Sequence, residues 1–69
     1  MNRITLTVNG APRTVPAATT LDTVVAEVSA APTGIAAAVN EAVVPRGSWA
    51  ATVLGAGDRV EILTAVQGG

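Results

Sequence analysis

Reactive side chains are scarce in this chain. It has no cysteine and no histidine, and its four basic residues, Arg3, Arg13, Arg46 and Arg59, include no lysine. That excludes thiol nucleophiles, disulfides, thiolate metal sites, histidine general bases and the usual zinc sites. The acids Asp22, Glu27, Glu41, Asp58 and Glu61 stand singly along the sequence. These five acids and the four arginines are the side-chain candidates left for catalysis. The sequence closes on Gly68-Gly69, which makes the terminal carboxylate of Gly69 the candidate reactive group. Neither glycine has a Cβ, so backbone can approach backbone closely. Gly68, with Gln67 before it, is expected to thread such a tail into a partner's active site. A Gly-Gly ending also suits a frayed terminus or an expression scar. The elements that lead into it therefore have to decide.

Size and composition narrow the setting. With 69 residues the chain is one domain, and at 49% apolar residues it can build a core without staples. That core is aliphatic, with one Trp and no Phe or Tyr. A net charge of −1 without a basic stripe or aromatic platform argues against nucleic acid. No uncharged apolar run approaches the ~18 residues of a membrane span. Arg3 is followed by alternation rather than by the apolar run of a signal peptide. The expected location is the cytoplasm.

The alternation of Arg3 to Val8 puts Ile4, Leu6 and Val8 on one face of a strand. Asn9-Gly10 is a type I′ hairpin signal, and Ala11 to Val15 returns. That turn pairs Val8 with Ala11, Leu6 with Arg13 and Ile4 with Val15. Pro12 marks the return strand as an edge, where Arg13 can lay its stem on the core and keep its head in water. Thr20 is the expected helix N-cap, with Asp22 in the first turn. Leu21, Val24, Val25 and Val28 form one apolar helical face, and Pro32-Thr33-Gly34 ends the helix. Ile35 to Val39 reads as a buried strand, Asn40-Glu41 as a turn, and Ala42 to Val44 as a short strand stopped by Pro45. Gly47-Ser48-Trp49 reads as irregular or a single turn, and Val53-Leu54 as a core plug. After the turn Gly55 to Asp58, Arg59 to Val66 is the last strand, with Val60, Ile62, Thr64 and Val66 on one face and Leu63 on the other. The expected fold is α+β: a mixed sheet of about five strands with one main helix on one face, the β-grasp (ubiquitin-like) arrangement. The first and last strands lie parallel in its middle. Residues 1–66 form the domain and 67–69 a flexible tail.

Laid on this frame, the residues resemble the ThiS family, the sulfur carrier proteins of thiamine thiazole biosynthesis. The resemblance rests on Val8-Asn9-Gly10, Ala38-Val39-Asn40, Val43-Val44-Pro45-Arg46 with Trp49, Gly57 to Ile62, and the ending Ala65 to Gly69. It covers nearly the whole chain, and its specificity lies in the order and spacing of these pieces. It implies a carrier and not an enzyme, with no cofactor of its own. An E1-like adenylyltransferase of the ThiF type uses ATP to adenylate the Gly69 carboxylate. A sulfur source such as a cysteine desulfurase then yields a thiocarboxylate, and a thiazole synthase of the ThiG type takes the sulfur.

The other residues have plainer readings. Trp49, Arg46 and Leu63 are candidate docking residues. A lone Trp in a small aliphatic domain is also ordinary packing, Arg46 after Pro45 also suits a solvated or capping role, and a single exposed leucine is normal. Asp58 suits the turn after Gly57, and Glu61 and Arg59 face solvent or a partner's rim. The same fold and tail would serve a carrier for molybdopterin synthesis or another pathway, a ubiquitin-like modifier, or an inert interaction module.

Overall fold

Two asparagine turns set the frame of the sheet. The computed structural model describes residues 2–29 and 34–64. Strand β1 (Arg3–Val8) turns at Asn9 and Gly10, whose φ angles of 52° and 85° are those a tight hairpin needs. It returns as β2 (Ala11–Pro16) in the expected register, with Val8 opposite Ala11, Leu6 opposite Arg13 and Ile4 opposite Val15. After helix α1 (Leu21–Val28), β3 (Ile35–Val39) turns at Asn40 and Glu41, φ 51° and 72°, into β4 (Ala42–Val44). A 3-10 helix (Arg46–Ala51) and a turn lead into β5 (Arg59–Thr64).

The five strands lie in the order β2-β1-β5-β3-β4. The last strand is therefore central, parallel to β1 on one side and antiparallel to β3 on the other. This is the β-grasp arrangement. The Pro12-bearing strand takes an outer edge, so the missing N–H costs no ladder bond. Arg13 reaches from that edge to Glu27 on α1, 3.9 Å away.

One face of the sheet is covered and the other is open. Leu6, Val8, Val15, Ala37, Val60 and Ile62 meet Leu21, Val24 and Val25 of the helix, with Trp49 and Leu54 closing the core. The helix has eight residues, too few to persist alone in water, so this packing holds it. Val28 completes its apolar stripe but stays 39% exposed. Thr20 occupies the N-cap position in extended conformation, yet its hydroxyl donates to the Asp22 carboxylate and makes no cap bond to the helix backbone. The helix is instead held at that end by main-chain bonds, Leu21 N to Thr52 O at 2.9 Å and Leu54 N to Thr19 O at 2.9 Å.

Several expectations need correction. The strand β3 was expected to be buried, but only Ala37 is; Ala36 is exposed because α1 covers one face alone. Val53 does not plug the core with Leu54. Residues 52–54 run extended against Thr20, so neighbouring side chains point opposite ways, and Val53 is 63% exposed. Of the two readings for Gly47-Ser48-Trp49, irregular or a single turn, the helical one is nearer: a 3-10 helix spans six residues, Arg46–Ala51. Thr64 shares the expected face of β5 with Val60 and Ile62, at the strand's exposed end. Of the expected helix stop only Gly34 is described, and the helix ends earlier, at Ser29. Val66, placed at the end of the last strand, lies outside the described residues.

Candidate functional site

The site is built around the C-terminal end of β5, the strand that runs toward the candidate tail. Gln67, Gly68 and Gly69 themselves lie outside the described residues. Strand β5 is held on both sides to different depths. On the β3 side the register continues from Val39 opposite Val60 to Ile35 opposite Thr64. On the β1 side it covers only Thr7 opposite Arg59 and Val8 opposite Val60, because β1 turns away at Asn9.

Two asparagine side chains add to this hold, Asn9 from the β1 side and Asn40 from the β3 side. Asn9 donates its main-chain N–H to Val60 O at 2.8 Å. Its carboxamide then reaches one step farther: Oδ1 accepts from Ile62 N–H at 2.8 Å, and Nδ2 donates to Ile62 O at 3.1 Å. At the start of the strand, Asn40 donates its main-chain N–H to Arg59 O at 2.8 Å, and its Oδ1 accepts from Arg59 N–H at 3.0 Å. Its Nδ2 donates to Asp58 Oδ1 at 3.0 Å, while Asp58 Oδ2 accepts from Gly55 N–H at 2.7 Å. Each hairpin thus lends its turn asparagine to β5. From sequence both are turn residues and parts of the family pattern, with no bond to β5 expected of either. The available signal was the use of Asn, an amide with donor and acceptor, where glycine would serve the turn equally well.

The open face beside this strand carries an apolar groove. Leu63 is 68% exposed and Val43 is 76% exposed. Between them lie Ala36, opposite Leu63, and Ala38, opposite both Glu61 and Val43. Two alanines on the middle strand leave a trough of about 350 Å³ between taller walls, with Glu41 and Glu61 at its margin. Glu41 pairs with Arg59 at 3.5 Å. None of Val43, Ala36 and Ala38 is among the docking residues expected from sequence. In sequence, the small Ala36 and Ala38 at alternate positions of β3 read as residues that allow close approach in a buried strand.

The candidate docking residues do not form one surface. Leu63 lies on the open face. Trp49 lies in the core at 6% exposure, its indole N–H donating to Val44 O at 2.9 Å, which is the packing role and leaves almost no surface to dock with. Arg46 lies over the Trp49 ring, 5.2 Å from its centroid, in cation–π geometry. Among the described residues no group of His, Cys, Asp or Glu could hold a metal ion, and no helix is long and apolar enough to cross a membrane.

Comparison with known proteins fits this geometry. The model of the ThiS family matches residues 6–69. The chain is similar to a thiamine biosynthesis protein (ThiS) of Geobacter metallireducens of known crystal structure. The two share 32% identity over 96% of this chain and 100% of that one, with a TM-score of 0.76. No curated protein matches the chain. With the family pattern running from β1 through the Gly-Gly ending, the chain belongs to the ThiS family, the small sulfur carrier proteins of thiamine biosynthesis.

Proposed function

We propose that the chain carries sulfur as a thiocarboxylate on Gly69 and delivers it for thiazole formation. The observation that carries this reading is the place of β5. The strand that continues toward Gly68-Gly69 is the central one, paired with β1 and with β3, so the tail springs from a firmly held base. A carboxylate is a poor electrophile. An adenylyltransferase of the ThiF type joins AMP from ATP to the Gly69 carboxylate, releasing pyrophosphate. A persulfide sulfur from a cysteine desulfurase or similar donor attacks the carbonyl carbon and AMP leaves. A second thiol, which this cysteine-free chain does not supply, then cleaves the S–S bond, leaving the thiocarboxylate on Gly69 and a disulfide on the donor side. A thiazole synthase of the ThiG type accepts the sulfur.

The acyl-adenylate must be kept from water, which calls for a narrow channel. Gly68 and Gly69 suit it because they bring no side chains. The apolar groove between Leu63 and Val43 suits the docking step, since it opens beside the same strand. The test is intact mass after incubation with ATP, a ThiF-type adenylyltransferase and a persulfide donor. The expected result is a gain equal to exchanging one oxygen for one sulfur. An unchanged mass would sink the reading, and appearance of the chain in isopeptide linkage to other proteins would replace it with a modifier role.

A further inference from the structure

We propose that Asn9 is a positioning residue that fixes the exit of β5 and thereby aims the tail; the role rests on the function of Gly69 proposed above. The chain geometry explains why such a device is needed. In a parallel pair, a residue's N–H and C=O reach the carbonyl and the N–H of two residues flanking its partner. Asn9 N–H makes the first of these bonds, to Val60 O at 2.8 Å. At φ 52° the backbone then turns into the hairpin and cannot supply the second. The Asn9 side-chain oxygen takes over, accepting from Ile62 N–H at 2.8 Å, and the amide also returns a donor to Ile62 O at 3.1 Å. A side chain thus extends the β1 side of the sheet by one residue pair, after the strand itself has left.

That extension falls where it matters for the tail. Thr64 is the last residue of β5, and the Asn9 amide grips the strand at Ile62, two residues before that end. Gly69 lies seven residues beyond Ile62 in the sequence, a reach of at most about 25 Å of extended chain. Without the Asn9 amide, the β1-side grip ends at Val60 and the strand is held past that point by β3 alone. The final strand residues then gain freedom to twist away from the sheet. A reacting carboxylate that must meet a nucleotide phosphate in a narrow site is sensitive to such slack. A misplacement near 1 Å, introduced far from the chemistry, can cost about a hundredfold in rate.

The informative variant is Asn9→Gly. Glycine accepts the positive φ, so the hairpin is retained and only the amide is lost. Three readouts on the full chain separate aim from stability. Exchange of the Ile62 amide hydrogen is expected to rise roughly tenfold, since its acceptor is gone. The kcat of a ThiF-type adenylyltransferase for the variant is expected to fall about tenfold to a hundredfold, with KM changed less, because Asn9 lines the groove but its apolar walls, Leu63 and Val43, are kept. Asn9→Asp, which keeps the acceptor for Ile62 N–H and loses the donor, is expected to recover part of the kcat. A purely structural role would lower the urea midpoint of Asn9→Gly and leave kcat at native values under folding conditions, which would overturn the proposal. Unchanged Ile62 exchange would overturn it as well. Failure of the wild-type chain to be adenylated would instead remove the function of Gly69, and the role of Asn9 with it.

Discussion

Leu63 and Trp49 show how differently two large apolar side chains can be spent. Trp49 closes the core beneath the sheet, and its N–H is satisfied by Val44 O, so truncating it would hollow the fold before it touched any partner. Leu63 projects 68% exposed from the open face, next to the small side chain of Ala36. Folding gains little from it there. Leu63→Asp is accordingly expected to leave the urea midpoint near the wild-type value. The same change puts a charge into an apolar groove already margined by Glu41 and Glu61. If the groove receives a partner's apolar side chains, KM for the adenylyltransferase should rise at least about tenfold. Steady-state kinetics with the carrier as varied substrate would measure it, and an unchanged KM would place docking elsewhere.

The elements matter for function mainly through β5. Its start is fixed by a turn in which Gly57 stands at φ 81°, donating its N–H to Thr5 O at 2.8 Å, while Asp58 binds Gly55 and Asn40. No atom lies within 4 Å of where a Gly57 side chain would begin, so a substitution there meets backbone strain and not crowding. Gly57→Ala is expected to destabilise the fold by roughly 1 kcal/mol, the cost of holding an L-residue in left-handed geometry. Urea denaturation would read this as a lower midpoint with an unchanged slope. A loss of several kcal/mol would mean that the turn has a role beyond its geometry. The helix contributes differently. Its eight residues supply Leu21, Val24 and Val25 to the core, and its N-terminus is tied by main-chain bonds to residues 52 and 54 rather than by a threonine cap.

At the scale of the molecule, the core and the proposed reactive end can be tested apart. The core lies between the sheet and α1, and every buried apolar residue described belongs to residues 6–62. Deleting Gly69 is therefore expected to leave the thermal midpoint within about 1–2 °C of wild type, because the last residues of a domain contribute little to its stability. The same deletion should abolish adenylation, as neither AMP-dependent pyrophosphate release nor the oxygen-to-sulfur mass change would be seen. Adenylation of the shortened chain at the native rate would show that Gly69 is not the acceptor.

Much of this organisation is set by sequence alone, because it depends on local rules. The period-two pattern of Ile4, Leu6 and Val8 and the Asn9-Gly10 turn dictate the first hairpin and its register. Pro12 dictates an edge. The absence of Cys, His and Lys removes most enzymatic readings. Tertiary structure decided what depends on non-local neighbours. Ala36 and Ala38 look like core residues in sequence, and only the single helix layer leaves them lining an open groove. Val53 and Leu54 look alike until the extended pairing with Thr20 sends one outward. Asn9 and Asn40 look like turn residues until β5 comes to lie beside both, 53 and 19 positions later for Ile62 and Arg59, and gives their amides something to hold. A side-chain amide bonds to whatever the fold brings within reach, and no local pattern records which strand that will be.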